Sequence, residues 1–233
     1  MLNVRKANER GHADHGWLNS YHTFSFASYF DPNHMGWGPL RVINDDTVAG
    51  GGGFPTHGHR DMEIISYVLE GALEHKDTLG TGSVIVPGDV QLMSAGTGIA
   101  HSEFNHSHQD PVHFLQIWVM PEQNGLRPSY QQRRFEVEEK RGKLRLLVSP
   151  DGRDGSLSIR QDVAIYSALI DGDEQVEWVQ TAPRLGYIHV ARGSVKLDGY
   201  PLHAGDGVKV QGDSRLLLSE GEAAEVLFFD MVP

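Results

Sequence analysis

One short pattern occurs twice in this chain and limits what it can fold into. Tyr67-Val68-Leu69-Glu70-Gly71-Ala72-Leu73-Glu74 resembles His189-Val190-Ala191-Arg192-Gly193-Ser194-Val195-Lys196. Each is an extended apolar run, a turn glycine and a second extended run. Further on, Pro87-Gly88-Asp89-Val90-Gln91-Leu92-Met93 is echoed by Ala204-Gly205-Asp206-Gly207-Val208-Lys209-Val210 at nearly the same displacement. An internal repeat of this length implies two copies of one supersecondary plan. Strand-like runs such as Glu63–Leu69, Ser83–Val86, His113–Met120 and Ala224–Phe229 are punctuated by Glu70-Gly71, Pro87-Gly88-Asp89 and Gly96-Thr97-Gly98. Long stretches of helical periodicity are scarce, so the spacing predicts an all-β chain of short strands and tight turns. The expected fold is two related antiparallel β-barrels in tandem. The polar segment 122–143, with Asn124-Gly125 and Pro128, is the expected join, and the division is placed at 1–130 and 131–233.

Composition narrows the chemistry. Of 233 residues, 39% are hydrophobic and 22% charged, enough apolar material for two cores. There is no cysteine, which excludes disulfides, thiolate-zinc sites and thiol nucleophiles and fits a reducing compartment. Any metal must therefore rest on histidine and carboxylate. The formal charge of -11 argues against a nucleic-acid backbone as direct partner, and Arg133-Arg134 is expected to be a solvated loop. No stretch has the length of a signal peptide or membrane span, so a cytoplasmic location is expected, with no membrane partner.

His57-Gly58-His59 alternates at the strand period, which places both imidazoles on one face with Cα atoms roughly 6.6 Å apart. His101-Ser102-Glu103 repeats that geometry with an imidazole and a carboxylate. Two such pairs on neighbouring strands would converge on one divalent metal and leave a position open for water or substrate. With 13 histidines in the chain a single His-x-His carries little weight; two same-face pairs carry much more. Glu63 shares the strand parity of His59 and competes with Glu103 as the carboxylate ligand. The repeat displacement carries His57 onto Val179 and His59 onto Thr181, and the second displacement carries His101 onto Leu218. The second barrel is thus expected to keep the folding pattern without metal ligands.

Other candidates have plainer explanations. His75, His106, His108 and His113 are expected at turns, on the surface or in a cavity wall. His12, His15, His22 and His34 lie among Trp17, Tyr21, Phe24, Phe26, Tyr29, Phe30 and Trp37, aromatics expected to pack in the core and over the barrel as a lid. Gly50-Gly51-Gly52-Gly53 lacks the Lys-Ser/Thr of a phosphate-binding loop and is expected to join two strands.

Over essentially its whole length the sequence resembles the pirins, two-barrel members (bicupins) of the cupin superfamily. The resemblance is carried by Gly16-Trp17-Leu18, Thr23-Phe24-Ser25-Phe26-Ala27, Arg41-Val42-Ile43-Asn44-Asp45-Asp46, Thr56-His57-Gly58-His59-Arg60-Asp61-Met62-Glu63 and Met93-Ser94-Ala95-Gly96-Thr97-Gly98-Ile99-Ala100-His101-Ser102-Glu103. It implies an iron site of three histidines and one glutamate on His57, His59, His101 and Glu103. Gly71 stands one residue beyond the usual cupin spacing from Glu63, which favours Glu103. Bacterial pirin-like proteins similar to this one are quercetin 2,3-dioxygenases. That implies a metal-dependent cleavage of a flavonol by O2 with release of carbon monoxide, Glu103 serving as ligand and catalytic base. Fe(II) is the expected metal, with Cu, Mn, Ni, Co or Zn as alternatives because affinity alone does not choose among them. Phe54, Leu92 and Phe114 are expected in an apolar wall around the substrate. Two barrels in one chain suggest a monomer. The alternative implication is a redox-sensing regulator that uses its metal to bind a transcription factor or other protein partner, as animal members are thought to do.

Overall fold

The computed structural model describes residues 3–233. Its strands are β1 (Asn3–Arg5), β2 (Gly11–Asp14), β3 (Leu18–His22), β4 (Leu40–Val48), β5 (Gly53–Glu70), β6 (Leu73–Asp77), β7 (Gly82–Ile85), β8 (Asp89–Asn105) and β9 (Val112–Val119). They continue as β10 (Ser129–Arg134), β11 (Arg145–Ser149), β12 (Leu157–Ser158), β13 (Val163–Gly172), β14 (Val176–Gln180), β15 (Leu185–Leu197), β16 (Tyr200–His203), β17 (Gly207–Gln211) and β18 (Ser214–Met231). The α-helix among the described residues is one turn, Val137–Lys140. Among the described residues no helix is long and apolar enough to cross a membrane.

Two nine-stranded sheets result, as the repeat implies. In the first the order is β2-β3-β4-β9-β5-β8-β6-β7 with β10 also on β8; in the second it is β1-β17-β15-β18-β13-β11-β12, with β14 on β18 and β16 on β15. The ladders are antiparallel except for β11–β12. The chain crosses between sheets at both ends of its first half. β1 pairs with β17 of the second sheet, and the division expected after residue 130 falls inside β10, which pairs with β8 of the first.

Alternation along the strands assigns each face. On β5, Ile65, Tyr67 and Leu69 join Leu92, Leu115 and Ile117 in a buried cluster with Val148, Ile165, Tyr187 and Phe229 of the second sheet. This cluster bonds the two sheets, and burial of aliphatic and aromatic side chains at about 25 cal/mol per Å² makes it a major source of stability. The second sheet fills its own interior with apolar residues, among them Trp178, Ile188, Val190, Leu218 and Phe228. The first encloses two smaller apolar clusters, one around Val68, Leu73 and Phe114, the other around Ile64, Met93 and Ile99.

The paired turn glycines of the repeat are sterically required. Gly71 has φ +76° and a Cβ there would lie 2.7 Å from the Pro111 carbonyl; Gly193 has φ +66° and a Cβ would lie 2.2 Å from the Glu222 carbonyl. Gly80 also has a positive φ, +88°, but faces open space. Gly71→Ala and Gly193→Ala should each lower stability in urea denaturation by about 2 kcal/mol or more, against about 1 kcal/mol for Gly80→Ala, where only the left-handed backbone is penalised.

Candidate metal centre and its cavity

The first barrel owes its inner surface to the pairing of β5 with β8. His57 stands directly opposite His101, and His59 opposite Ile99. Cross-strand partners share a face, so three imidazoles meet: ring centroids are 4.7 Å apart for His57 and His59, 4.6 Å for His57 and His101, and 4.8 Å for His59 and His101. Their donor nitrogens all lie within 4.8 Å of one another, a spacing at which one ion can be shared. Between His59 and Asp61 the register slips, and Asp61 takes a φ of 62°. This bulge reverses the parity of β5, so that Ile64 and Ser66, not Glu63, follow the histidines on the inner face. Glu63 lies on the opposite face, where its carboxylate accepts hydrogen bonds from Ser94 Oγ at 2.9 Å and the Arg160 amide at 3.2 Å. The parity argument that made it a rival to Glu103 fails at the bulge.

Glu103 is buried beside His101. It accepts hydrogen bonds from Ser66 Oγ at 3.1 Å and from Gln116 Nε2 at 2.9 and 3.1 Å. Burial pushes its carboxyl up, opposed by the Gln116 hydrogen bond. By donor spacing Glu103 groups with His101 and His75, so the four expected ligands fall into two overlapping triads that share His101.

Hydrogen bonds assign the imidazole protons consistently. His57 Nδ1 is 2.8 Å from the Pro55 carbonyl and must donate to it, leaving Nε2 as a free donor atom for a cation. His101 Nε2 approaches that atom at 3.1 Å. On its other side His101 Nδ1 is 3.4 Å from His75 Nδ1, and His75 Nε2 is 2.9 Å from Asp77 Oδ2. His75 Nε2–H donates to the Asp77 carboxylate, His75 Nδ1 accepts from His101 Nδ1–H, and His101 Nε2 is left with its lone pair inward. Burial, helped by the neighbouring imidazoles, lowers His59 to about 4 and His101 to about 2, so both are neutral at physiological pH, as ligation requires.

His57, His59 and Glu103 line a cavity of about 400 Å³. Trp17, Leu18, Phe26, Phe54 and Trp118 form much of its wall, with Trp17 edge-on to Phe54 and Phe26 edge-on to Trp118. Phe54 is where the sequence placed it. Leu92 and Phe114 are not in this wall: Leu92 points into the inter-sheet cluster, and Phe114 is fully buried in the apolar cluster with Val68 and Leu73. Trp17 and Phe26 of the aromatic N-terminal segment do cover the barrel, while Phe24 and Trp37 pack against the inter-sheet cluster and Phe30 is 70% exposed.

The deciding comparisons concern the whole chain. Residues 3–119 match the family described as Pirin, and residues 146–231 match the quercetinase C-terminal cupin domain. A protein of Escherichia coli K12 named quercetin 2,3-dioxygenase is 49% identical over 233 residues, covering 100% of both chains. The chain belongs to the pirin family. A pirin-like protein of Caulobacter vibrioides is 41% identical over 99% of each chain. A crystal structure of the bacterial pirin YhhW from Escherichia coli in complex with nickel(II) superposes with a TM-score of 0.94 at 48% identity, covering 100% of each chain. The two-barrel, all-β bicupin architecture expected from the repeat is therefore that of the family.

His75, expected at a turn, on the surface or in a cavity wall, belongs instead to the site. It is fully buried, packs against Tyr130 with ring centroids 4.8 Å apart and planes tilted by 34°, and supports His101 from behind. Its signal was present as His75-Lys76-Asp77, a third same-face pair, and β6 sets His75 opposite Glu103 and Asp77 opposite His101. Also unanticipated is Asp46, buried in the cavity wall with Ser20 Oγ donating to its Oδ1. Burial, with the charges of Asp45 and Glu103, pushes Asp46 up to about 7 against the Ser20 hydrogen bond. A folded-state pKa above the unfolded value of about 3.9 means that the native state holds the extra proton between roughly pH 4 and 7, so stability falls as pH rises through that window. In metal-free protein, Asp46→Asn should therefore gain on the wild type by on the order of 3 kcal/mol between pH 4.5 and 8 in urea titrations. Parallel pH profiles for the two proteins would show that Asp46 is already ionised at low pH.

Proposed function

We propose that the chain is a metal-dependent dioxygenase that opens the heterocyclic ring of a flavonol such as quercetin with O2. Both oxygen atoms enter the ring-opened ester and one ring carbon leaves as carbon monoxide. The observation that carries this reading is the convergence of three imidazoles, with the buried Glu103 carboxylate beside His101, at the wall of an aromatic cavity large enough for a planar ligand. The family's named quercetin dioxygenase at 49% identity and the nickel-bound pirin support it.

His57, His59 and His101 hold one divalent metal, Fe(II) by preference, and Glu103 completes the donor set. All-nitrogen and oxygen donors suit several first-row ions, so availability selects among them. When bound, such a metal supplies Lewis acidity toward the flavonol hydroxyl and, if redox-active, a route for electrons between the ring and O2. The protein does the rest. Glu103, steadied by Ser66 and Gln116, accepts the proton of the flavonol 3-hydroxyl. Trp17, Phe26, Phe54 and Trp118 hold the planar rings and keep water from the reacting carbons. The Asp77–His75 pair fixes the tautomer and orientation of His101.

Reconstitution under anaerobic conditions with Fe(II), Cu(II), Mn(II) or Zn(II), followed by oxygen uptake with quercetin, tests the reading. Metal-dependent uptake with carbon monoxide release, lost in His57→Ala, is expected. No uptake with any metal despite stoichiometric loading would contradict it and direct attention to a protein partner. Glu103→Gln should lower turnover at least a hundredfold with a smaller loss of metal, the range expected for a general base; equal losses of both would leave Glu103 as a ligand alone. His75→Ala should weaken metal binding about 10- to 100-fold without unfolding the barrel.

A further inference from the structure

The cavity has a second polar wall for which the ring-opening chemistry provides no role. Ser20 and His22 point inward from β3, Asn44 and Asp46 from β4, and the register pairs Ser20 with Asp46 and His22 with Asn44. Asn44 lies opposite Gln116 on β9, and Gln116 opposite Ser66 on β5. The row His22, Asn44, Gln116, Ser66 thus crosses four neighbouring strands, a span of roughly 14 Å at about 4.8 Å per strand. Glu103 is bonded at the Gln116–Ser66 end. Ser20, His22, Asn44 and Asp46 are grouped at the other end, all buried and all lining the cavity.

Hydrogen bonds among these four leave specific atoms free. Ser20 Oγ donates to Asp46 Oδ1, and His22 Nδ1 donates to Asn44 Oδ1 at 2.9 Å. Asp46 Oδ2, Asn44 Nδ2 and His22 Nε2 make no hydrogen bond among the described residues. They are also not among the sealed, unpartnered polar atoms of the interior, so they open into the cavity. With Asp46 ionised, above about pH 7, two acceptors and a donor therefore face a space whose adjoining wall is aromatic, with Phe26 packed against both His22 and Trp118 at 5.4 Å. Buried polar groups of this kind are satisfied by a ligand's complementary groups or by water.

We propose that Asp46, Asn44 and His22 form a recognition site for phenolic hydroxyls at one end of an extended planar ligand whose other end meets the imidazoles. Asp46 Oδ2 and His22 Nε2 accept phenolic hydrogens, and Asn44 Nδ2 donates to a hydroxyl oxygen. The inference rests on the dioxygenase reading and narrows it: the substrate class is planar phenols hydroxylated at both ends, and a catechol ring fits the paired acceptors. A site built to bond hydroxyls discriminates strongly against an analogue that lacks them.

Equilibrium binding to metal-loaded protein without oxygen, followed by quenching of tryptophan fluorescence, tests this with two probes. One is quercetin, with its dihydroxyphenyl ring; the other is the flavonol with the same fused rings and an unsubstituted phenyl ring. Wild type should bind quercetin roughly tenfold or more tightly than the analogue. Asp46→Asn and Asn44→Ala, made separately, should each reduce that ratio to about twofold or less while keeping the analogue's affinity and the metal content, which also shows that the cavity remains folded. Equal binding of both probes to wild type, or undiminished preference in both variants, would overturn the proposal and leave these atoms to ordered water. Preference without oxygen uptake would sink the dioxygenase reading and keep the recognition site; turnover of both probes without preference would do the reverse.

Discussion

The pairing of β5 with β8 is the constraint on which the rest of the site depends. His57 faces His101 across the ladder, and a slip of one residue would turn His101 and Glu103 out of the barrel. The bulge at Asp61 is equally necessary. Without it β5 would carry either its histidines or Ser66 on the inner face, and not both; with it, imidazoles upstream and the Glu103 support downstream share one cavity while Ile65, Tyr67 and Leu69 still reach the second sheet. One local irregularity thus lets a single strand serve a polar centre and an apolar interface.

The second sheet shows what the first would be without this centre. Its interior is filled by Trp178, Val190, Leu218, Phe228 and their neighbours. In the first, the corresponding volume is divided among small apolar clusters, an aromatic-walled cavity and a band of polar side chains held in hydrogen bonds. Burying that band has an energetic cost, seen in the direction of the shifts: carboxyls of Glu63, Asp46 and Glu103 are raised and imidazoles of His59 and His101 are lowered, all first by burial. The inter-sheet cluster supplies compensating apolar burial. The same burial keeps imidazole lone pairs free for a cation.

Much of this was legible in the sequence because it follows from period two. The turn glycines Gly71 and Gly193 announced the repeat, and alternation placed His57, His59, His101 and Glu103 on common faces. What alternation cannot show is a change of parity. By parity alone Glu63 rivals Glu103, since the Asp61 bulge that separates them depends on the partner strand and leaves no fixed mark in the sequence. Leu92 and Phe114 were misplaced for a related reason: hydrophobicity gives burial but does not say which of three apolar clusters receives a side chain. His75 was missed although His75-Lys76-Asp77 has the same spacing as the other pairs. Asp46, Asn44 and His22 gave no local signal, because their proximity is made by β3 and β4 lying side by side in the barrel.

In the proposed function, sheet register delivers three imidazoles to one metal ion. X-ray absorption of the anaerobic Fe(II)-loaded protein measures it most directly, by counting imidazole rings from their outer-shell scattering. Three imidazoles per iron are expected in the wild type and two in His101→Ala. Fewer than three in the wild type, or an unchanged count in that variant, would contradict it.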